Sequence, residues 1–77
     1  MDSRDLELIA KVSETDAELR ALYDEHLAYE KLIEKLESKS YLNATELMEV
    51  KELKKKKLAG KTRMEAILIK YRKAEAQ

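Results

Sequence analysis

Apolar residues recur along this chain at intervals of three and four, with the charged residues between them. Leu19, Leu22, His26, Tyr29, Ile33 and Leu36 are separated by three, four, three, four and three positions. That is the spacing of a helical seam with a single polar member, His26. Leu32 and Tyr23 widen the seam toward the broader stripe of a globular helix. Upstream, Leu6, Leu8, Ile9 and Val12 mark a short leading helix over about residues 3–13. Thr15 with Glu18 three positions later has the form of a capping box, so a second helix is expected over about residues 16–37. A polar stretch at 38–43 breaks the pattern. Asn43 with Glu46 forms another box that opens a third helix over about residues 44–72. Its apolar positions are Leu47, Val50, Leu53, Leu58, Met64, Ile67, Leu68 and Tyr71, and they thin out between Lys54 and Arg63.

A connection of about six residues favours antiparallel neighbours. The numbers of facing residues should then add to about 83. Leu36 is expected against Leu47, Ile33 against Val50, His26 against Lys57, Leu19 against Met64, and Thr15 against Leu68. The fold class expected is all-α: an antiparallel hairpin of long amphipathic helices. It forms a single domain over residues 1–77 and pairs into a four-helix-bundle dimer. The interface seam comprises Leu19, Leu22, His26, Tyr29, Ile33, Leu36, Leu47, Val50, Leu53, Met64 and Leu68. Small chains bury a small share of their surface, and those without disulfides or metal lean on a partner or on unusually good packing.

Two stretches carry a family resemblance. One is Leu19-x-x-Leu22-Tyr23-x-x-His26-x-x-Tyr29-Glu30-x-x-Ile33-x-x-x-Glu37, and the other is Leu53-Lys54-Lys55-Lys56-Lys57-Leu58-x-x-Lys61. Together they resemble the YdcH-like family of small bacterial helical-hairpin proteins, a family of unassigned biochemical function. The resemblance implies a helical hairpin that often self-associates. Tyr29 stands where that family has an aliphatic residue, Gly60 where it tends to have Leu, and Thr62 where it tends to have Asp.

Charge adds a second layer. Charged residues are 42% of the chain, yet acids and bases balance at 16 each. Within residues 1–49 acids outnumber bases thirteen to six, and within 50–77 bases outnumber acids ten to three. The reading adopted is two helices of opposite charge lying side by side, a pattern that sets pairing and orientation in helical assemblies. One Gly, no Pro and 44% apolar residues belong to a helical chain rather than a disordered one. There is no Cys, hence no disulfide or thiolate metal site, and the N-terminal residues lack the apolar run of a secretory signal. Both point to the cytoplasm, and no apolar run is long enough for a membrane span.

Candidate chemistry is sparse. His26 sits one turn before Glu30 and is read as a structural histidine in a polar layer, bonded to Glu30 or across a dimer axis. A pH-sensing role is the alternative. A helical metal site would need Glu-x-x-His, and Tyr23 occupies the first position of that motif. Lys54, Lys55, Lys56, Lys57, Lys61 and Arg63 form a candidate basic face, with Lys57 and Lys61 placed to lay their stems against the partner helix. Nucleic-acid binding usually combines such a face with a recognised fold or stacking aromatics, and the four Tyr here lie mostly on the seam. Gly60-Lys61-Thr62 mimics the end of a P-loop, but Lys55 stands where the first Gly is required. Gly60 is instead expected at a close helix contact or a kink, with Thr62 and Glu65 able to restart the helix. No catalytic, cofactor or metal constellation is expected. The functional reading is a self-associating interaction or scaffolding module, with an unidentified protein partner allowed. The alternative is a regulatory binder of nucleic acid or an acidic protein through the third helix.

Overall fold

The computed structural model describes residues 2–76 as three helices: α1 (Ser3–Val12), α2 (Ala17–Glu37) and α3 (Ala44–Ala76). α2 and α3 pack as an antiparallel hairpin, and α1 touches both. The molecule is a rod, 51 Å along its long axis and 20 by 16 Å across. Its radius of gyration of 15.0 Å exceeds the roughly 11 Å of a compact chain of this length. The long axis is α3 itself, since 33 helical residues rise about 50 Å.

Local chemistry sets the helix ends. Asp2 caps α1 in a reciprocal box with Asp5: the Asp5 N–H donates to the Asp2 carboxylate at 3.0 Å, and the Asp2 N–H donates back to Asp5. α1 ends at Ser13, so the chain does break there. The start of α2 differs from the expected Thr15 and Glu18 box. Asp16 is the N-cap, accepting from the Leu19 N–H at 3.0 Å, while the Thr15 hydroxyl donates backward to the Val12 carbonyl. A carboxylate at the N-terminus suits the helix dipole, and Thr15 closes the preceding helix. The Asn43 and Glu46 box forms as expected, with both reciprocal bonds present at 2.8 and 3.2 Å.

α3 runs unbroken through Gly60. Its φ is not positive, and a Cβ added there would meet nothing within 4 Å. The close contact expected at Gly60 is absent and the helix is not interrupted there, and Thr62 donates to the Leu58 carbonyl within the same helix rather than capping a new one. Helix continuity wins because a single mid-helix Gly costs only about 1 kcal/mol, which the packing on either side offsets.

The core is concentrated at the end of the rod opposite the α2–α3 connection. Leu8, Ile9 and Val12 of α1 close over Leu19 of α2 and over Met64, Ile67 and Leu68 of α3, with Leu22, Tyr23 and Tyr71 packed at the edge. Leu19 and Met64 are fully buried. Burying side chains of this kind is worth about 1.5–3 kcal/mol each. Ile33 and Val50 are buried toward the connection. Their joint burial, and the presence of Leu19 and Met64 in one cluster, agree with the register expected from the loop length. Other expected pairings change. Leu68 is covered by α1 rather than by Thr15, which is exposed in the α1–α2 turn. Leu47 is 49% exposed instead of sealed against Leu36, and Leu58 is 65% exposed. A straight helix drifts by about 20° per heptad against a 3.5-residue repeat. One stripe therefore cannot stay on one face along 33 residues.

The hairpin is laced by ion pairs with the acid on α2 and the base on α3. Arg63 Nη2 lies 2.6 Å from Glu18, Lys57 3.6 Å from Glu30, and Lys54 3.2 Å from Glu37. This is the side-by-side arrangement read from the charge asymmetry. Exposed pairs add little stability, but they favour this register over a slipped one. At the far end Arg72 pairs with Asp5, and Lys11 lies 3.4 Å from Glu75, tethering α1 to α3. The Tyr71 hydroxyl donates to Asp16 at 2.7 Å, tying the cap of α2 to α3.

Two outcomes are expected from this architecture. Gly60→Ala should raise stability by up to about 1 kcal/mol in denaturant or thermal melts; a loss would contradict an open, regular helix at that position. Asp16 has its carboxyl held below the ordinary value, first by the Leu19 N–H and then by the Tyr71 hydroxyl. A group lowered in the folded state contributes stability that is present above its unfolded pKa and lost as pH falls through the folded one. Asp16→Asn keeps a capping oxygen but does not titrate, so its stability should fall less steeply than that of the parent chain below about pH 4. Parallel acid limbs in the two proteins would remove Asp16 from the linkage.

Candidate functional site

The sequence-derived seam is mostly consumed within the chain. Leu19, Ile33, Val50, Met64 and Leu68 are buried, and Leu22, His26, Tyr29, Leu36 and Leu53 are half-buried between the helices. Leu47 alone of that set is exposed. Because α1 covers one end, the seam is not left open along its length for a partner, as a bare two-helix hairpin would leave it. The basic face is divided too. Lys54, Lys57 and Arg63 are engaged by α2 carboxylates. Lys55 and Lys56 are exposed, and Lys61 is half-buried without an ion-pair partner among the described residues.

Two clefts remain. The first lies beside the connection between α2 and α3 and has a volume of about 640 Å³. Leu32, Leu36, Met48 and Leu53 make its apolar floor. Lys35, Lys39 and Lys56 stand on its rim with Glu49 and Glu52, so the rim carries both signs. Met48 is 67% exposed and Leu32 49%. Lys39 also pairs with Glu46 at the start of α3, and that ammonium, with the Asn43 N–H, holds the Glu46 carboxyl below its usual range. Among the described residues nothing covers the floor, because α1, the helix outside the hairpin, is spent on the opposite end.

The second cleft, about 390 Å³, sits midway between α2 and α3. Tyr23, His26, Leu27 and Glu30 of α2 face Lys57 and Lys61 of α3 across it, and Leu6 of α1 closes one side. His26 Nε2 lies 2.9 Å from Glu30 Oε1, the same oxygen that Lys57 approaches. With Nε2 facing a carboxylate, the ring proton belongs there and Nδ1 is left as an acceptor. Nδ1 is buried with no hydrogen-bond partner among the described residues. The polar layer expected at His26 and Lys57 is therefore present, joined through Glu30. Leu6 is 45% exposed and borders this cleft, while Leu8, Ile9 and Val12 of the same helix are buried in the core.

Tyr29, whose hydroxyl is held up by its bond to the Glu25 carboxylate, is on neither lining. Among the described residues no three His, Cys, Asp or Glu side chains gather closely enough to hold a metal ion. Among the same residues no helix is long and apolar enough to cross a membrane.

A family model described as "Protein of unknown function (DUF465)" matches residues 19–68, well over half of the chain. The chain belongs to that family. DUF465 is the YdcH-like family, so the resemblance carried by the stretches at 19–37 and 53–61 is borne out. The DUF465 match spans all of the α2–α3 connection and both clefts, with only Leu6 of the lining residues outside it, and it begins after α1. No curated protein and no solved structure matches the chain.

Sequence reasoning did not single out the cleft by the connection. Met48 was off the α3 stripe, and Leu32 was counted as a widening of the seam. The available signal was the pair of adjacent apolar residues on each side of the loop, Leu32 with Ile33 and Leu47 with Met48. One member of each pair must point away from the partner helix.

His26 itself yields a test. His26→Leu removes a buried acceptor without a partner, and Glu30 keeps Lys57. The melting temperature should rise, with a gain on the order of 1 kcal/mol. A drop would mean that the imidazole stabilises the layer.

Proposed function

We propose that this protein is an interaction module that pairs with a second copy of itself through the cleft by the α2–α3 connection, so that the two α2–α3 hairpins form a four-helix assembly. The observation that carries this reading is an apolar floor of four side chains, Leu32 and Met48 exposed and Leu36 and Leu53 half-buried, at the end of the rod that α1 does not cover. Contiguous exposed apolar surface rimmed by polar groups marks association sites. The rim favours a second copy over an unlike partner. A two-fold axis brings the same patch to both sides, so Lys35, Lys39 and Lys56 of one copy can meet Glu49 and Glu52 of the other. The competing reading, an acidic or nucleic-acid partner on α3, has two of its six cations, Lys54 and Arg63, closely held by α2 carboxylates, with Lys57 held more loosely at 3.6 Å.

Absolute mass by light scattering tests the proposal. The chain should be a dimer at low and at high salt, because apolar burial rather than exposed charge holds it. Met48→Glu should give a monomer whose helical circular dichroism is unchanged. A monomeric parent chain at both salt concentrations would refute self-association.

A further inference from the structure

The cleft around His26 is separate from the proposed dimer surface and has a different chemistry. Its charges do not cancel: Glu30 offsets one lysine and leaves one in excess. From α3, Lys57 and Lys61 bring two positive charges one turn apart, whereas Glu30 of α2 is the sole carboxylate on the lining. That carboxylate is shared between His26 at 2.9 Å and Lys57 at 3.6 Å. The Lys57 distance is longer than a good charge-assisted hydrogen bond, so this ammonium can re-aim at little cost. Lys61 is half-buried and has no carboxylate within reach among the described residues. Tyr23 lines the same space and, unlike Tyr29 and Tyr71, is not tied to a carboxylate. Lys54, which continues the basic row along α3, adds to the positive potential even though Glu37 holds it.

We infer that this cleft binds a small phosphomonoester, with its phosphate held by Lys57, Lys61 and the Tyr23 hydroxyl and its organic group against Leu6 and Leu27. Three donors on one lining suit the three terminal oxygens of a phosphate better than the two of a carboxylate. A phosphate group carries between one and two negative charges near neutrality, which matches the surplus of cation over carboxylate. The cleft volume of about 390 Å³ falls within the range of small-ligand pockets and leaves room for an organic moiety beside the phosphate. The two leucines supply the apolar wall that such a moiety needs.

The test is a titration of the full-length protein with phenyl phosphate, followed by NMR through the His26 ring and the backbone amides around it. Inorganic phosphate and phenol serve as comparison ligands at matched ionic strength. Saturable shifts confined to this cleft are expected, with phenyl phosphate tighter than either comparison ligand. Lys61→Gln should weaken binding by about tenfold, in line with the loss of one charge-assisted contact. Lys61→Arg should retain most of it, and Lys55→Gln, on the exposed face, should leave it unchanged. If Lys61→Gln disturbs the fold, Lys57→Gln carries the same expectation. Absence of saturation, equal weakening by Lys55→Gln and Lys61→Gln, or equal affinity for inorganic and phenyl phosphate would each overturn the assignment. The readout does not depend on oligomeric mass, so it stands or falls separately from self-association.

Discussion

Leu19 and Met64, both withdrawn completely from solvent, are the contact around which the molecule is organised. They lie near the end of the rod where α1 folds across, and Leu8, Ile9 and Val12 reach them from the third side. A pair of helices buries one stripe from each partner and leaves the edges wet. Adding even one ten-residue helix turns that stripe into a small enclosed core. Everything else follows from where this helix is spent. The end it covers becomes the stable part, and the opposite end retains an apolar floor without a lid.

Charge and polarity do the work of alignment in the middle of the rod, where apolar residues are few. The acidic α2 and basic α3 meet through Glu18 with Arg63, Glu30 with Lys57 and Glu37 with Lys54. Such pairs contribute little energy in water, but a slip of one turn would set Glu18 and Glu37 against apolar residues such as Ile67 and Leu58. His26 sits in the same stretch with one nitrogen beside Glu30 and the other buried without a partner. A buried polar group of this sort costs stability and is retained where it specifies an arrangement or serves a ligand. The self-association proposed for the uncovered end and the anion site inferred at His26 use opposite consequences of this division, apolar surface in one and unneutralised cation in the other.

Much of the fold was legible from spacing alone, because helical periodicity and capping are local. The apolar interval of three and four along α2, the reciprocal Asn43 and Glu46 cap, and the short connection identify an antiparallel hairpin without any tertiary information. The charge asymmetry likewise anticipates acidic and basic helices side by side. Reading was less secure where two local signals competed. Thr15 and Asp16 are both good caps, and Asp16 prevails because its carboxylate also receives the Tyr71 hydroxyl from α3. Gly60 looks like a break by residue type, but the helix continues because nothing nearby requires a turn there.

The sequence by itself determined the elements, their order, the antiparallel pairing and the family, since each depends on residues within a turn or two or on a loop of fixed reach. Only the tertiary structure decided which apolar residues are sealed and which are left open. Leu47, Leu58 and Met48 have the same character as Leu53 and Met64, yet they differ in exposure because a long straight helix rotates its stripe away from the partner. The tertiary structure also placed α1 over one end rather than the other, which brought Leu6, His26, Lys57 and Lys61 around one cleft. Burial is a property of what lies opposite, and what lies opposite is fixed by contacts between residues distant in the chain.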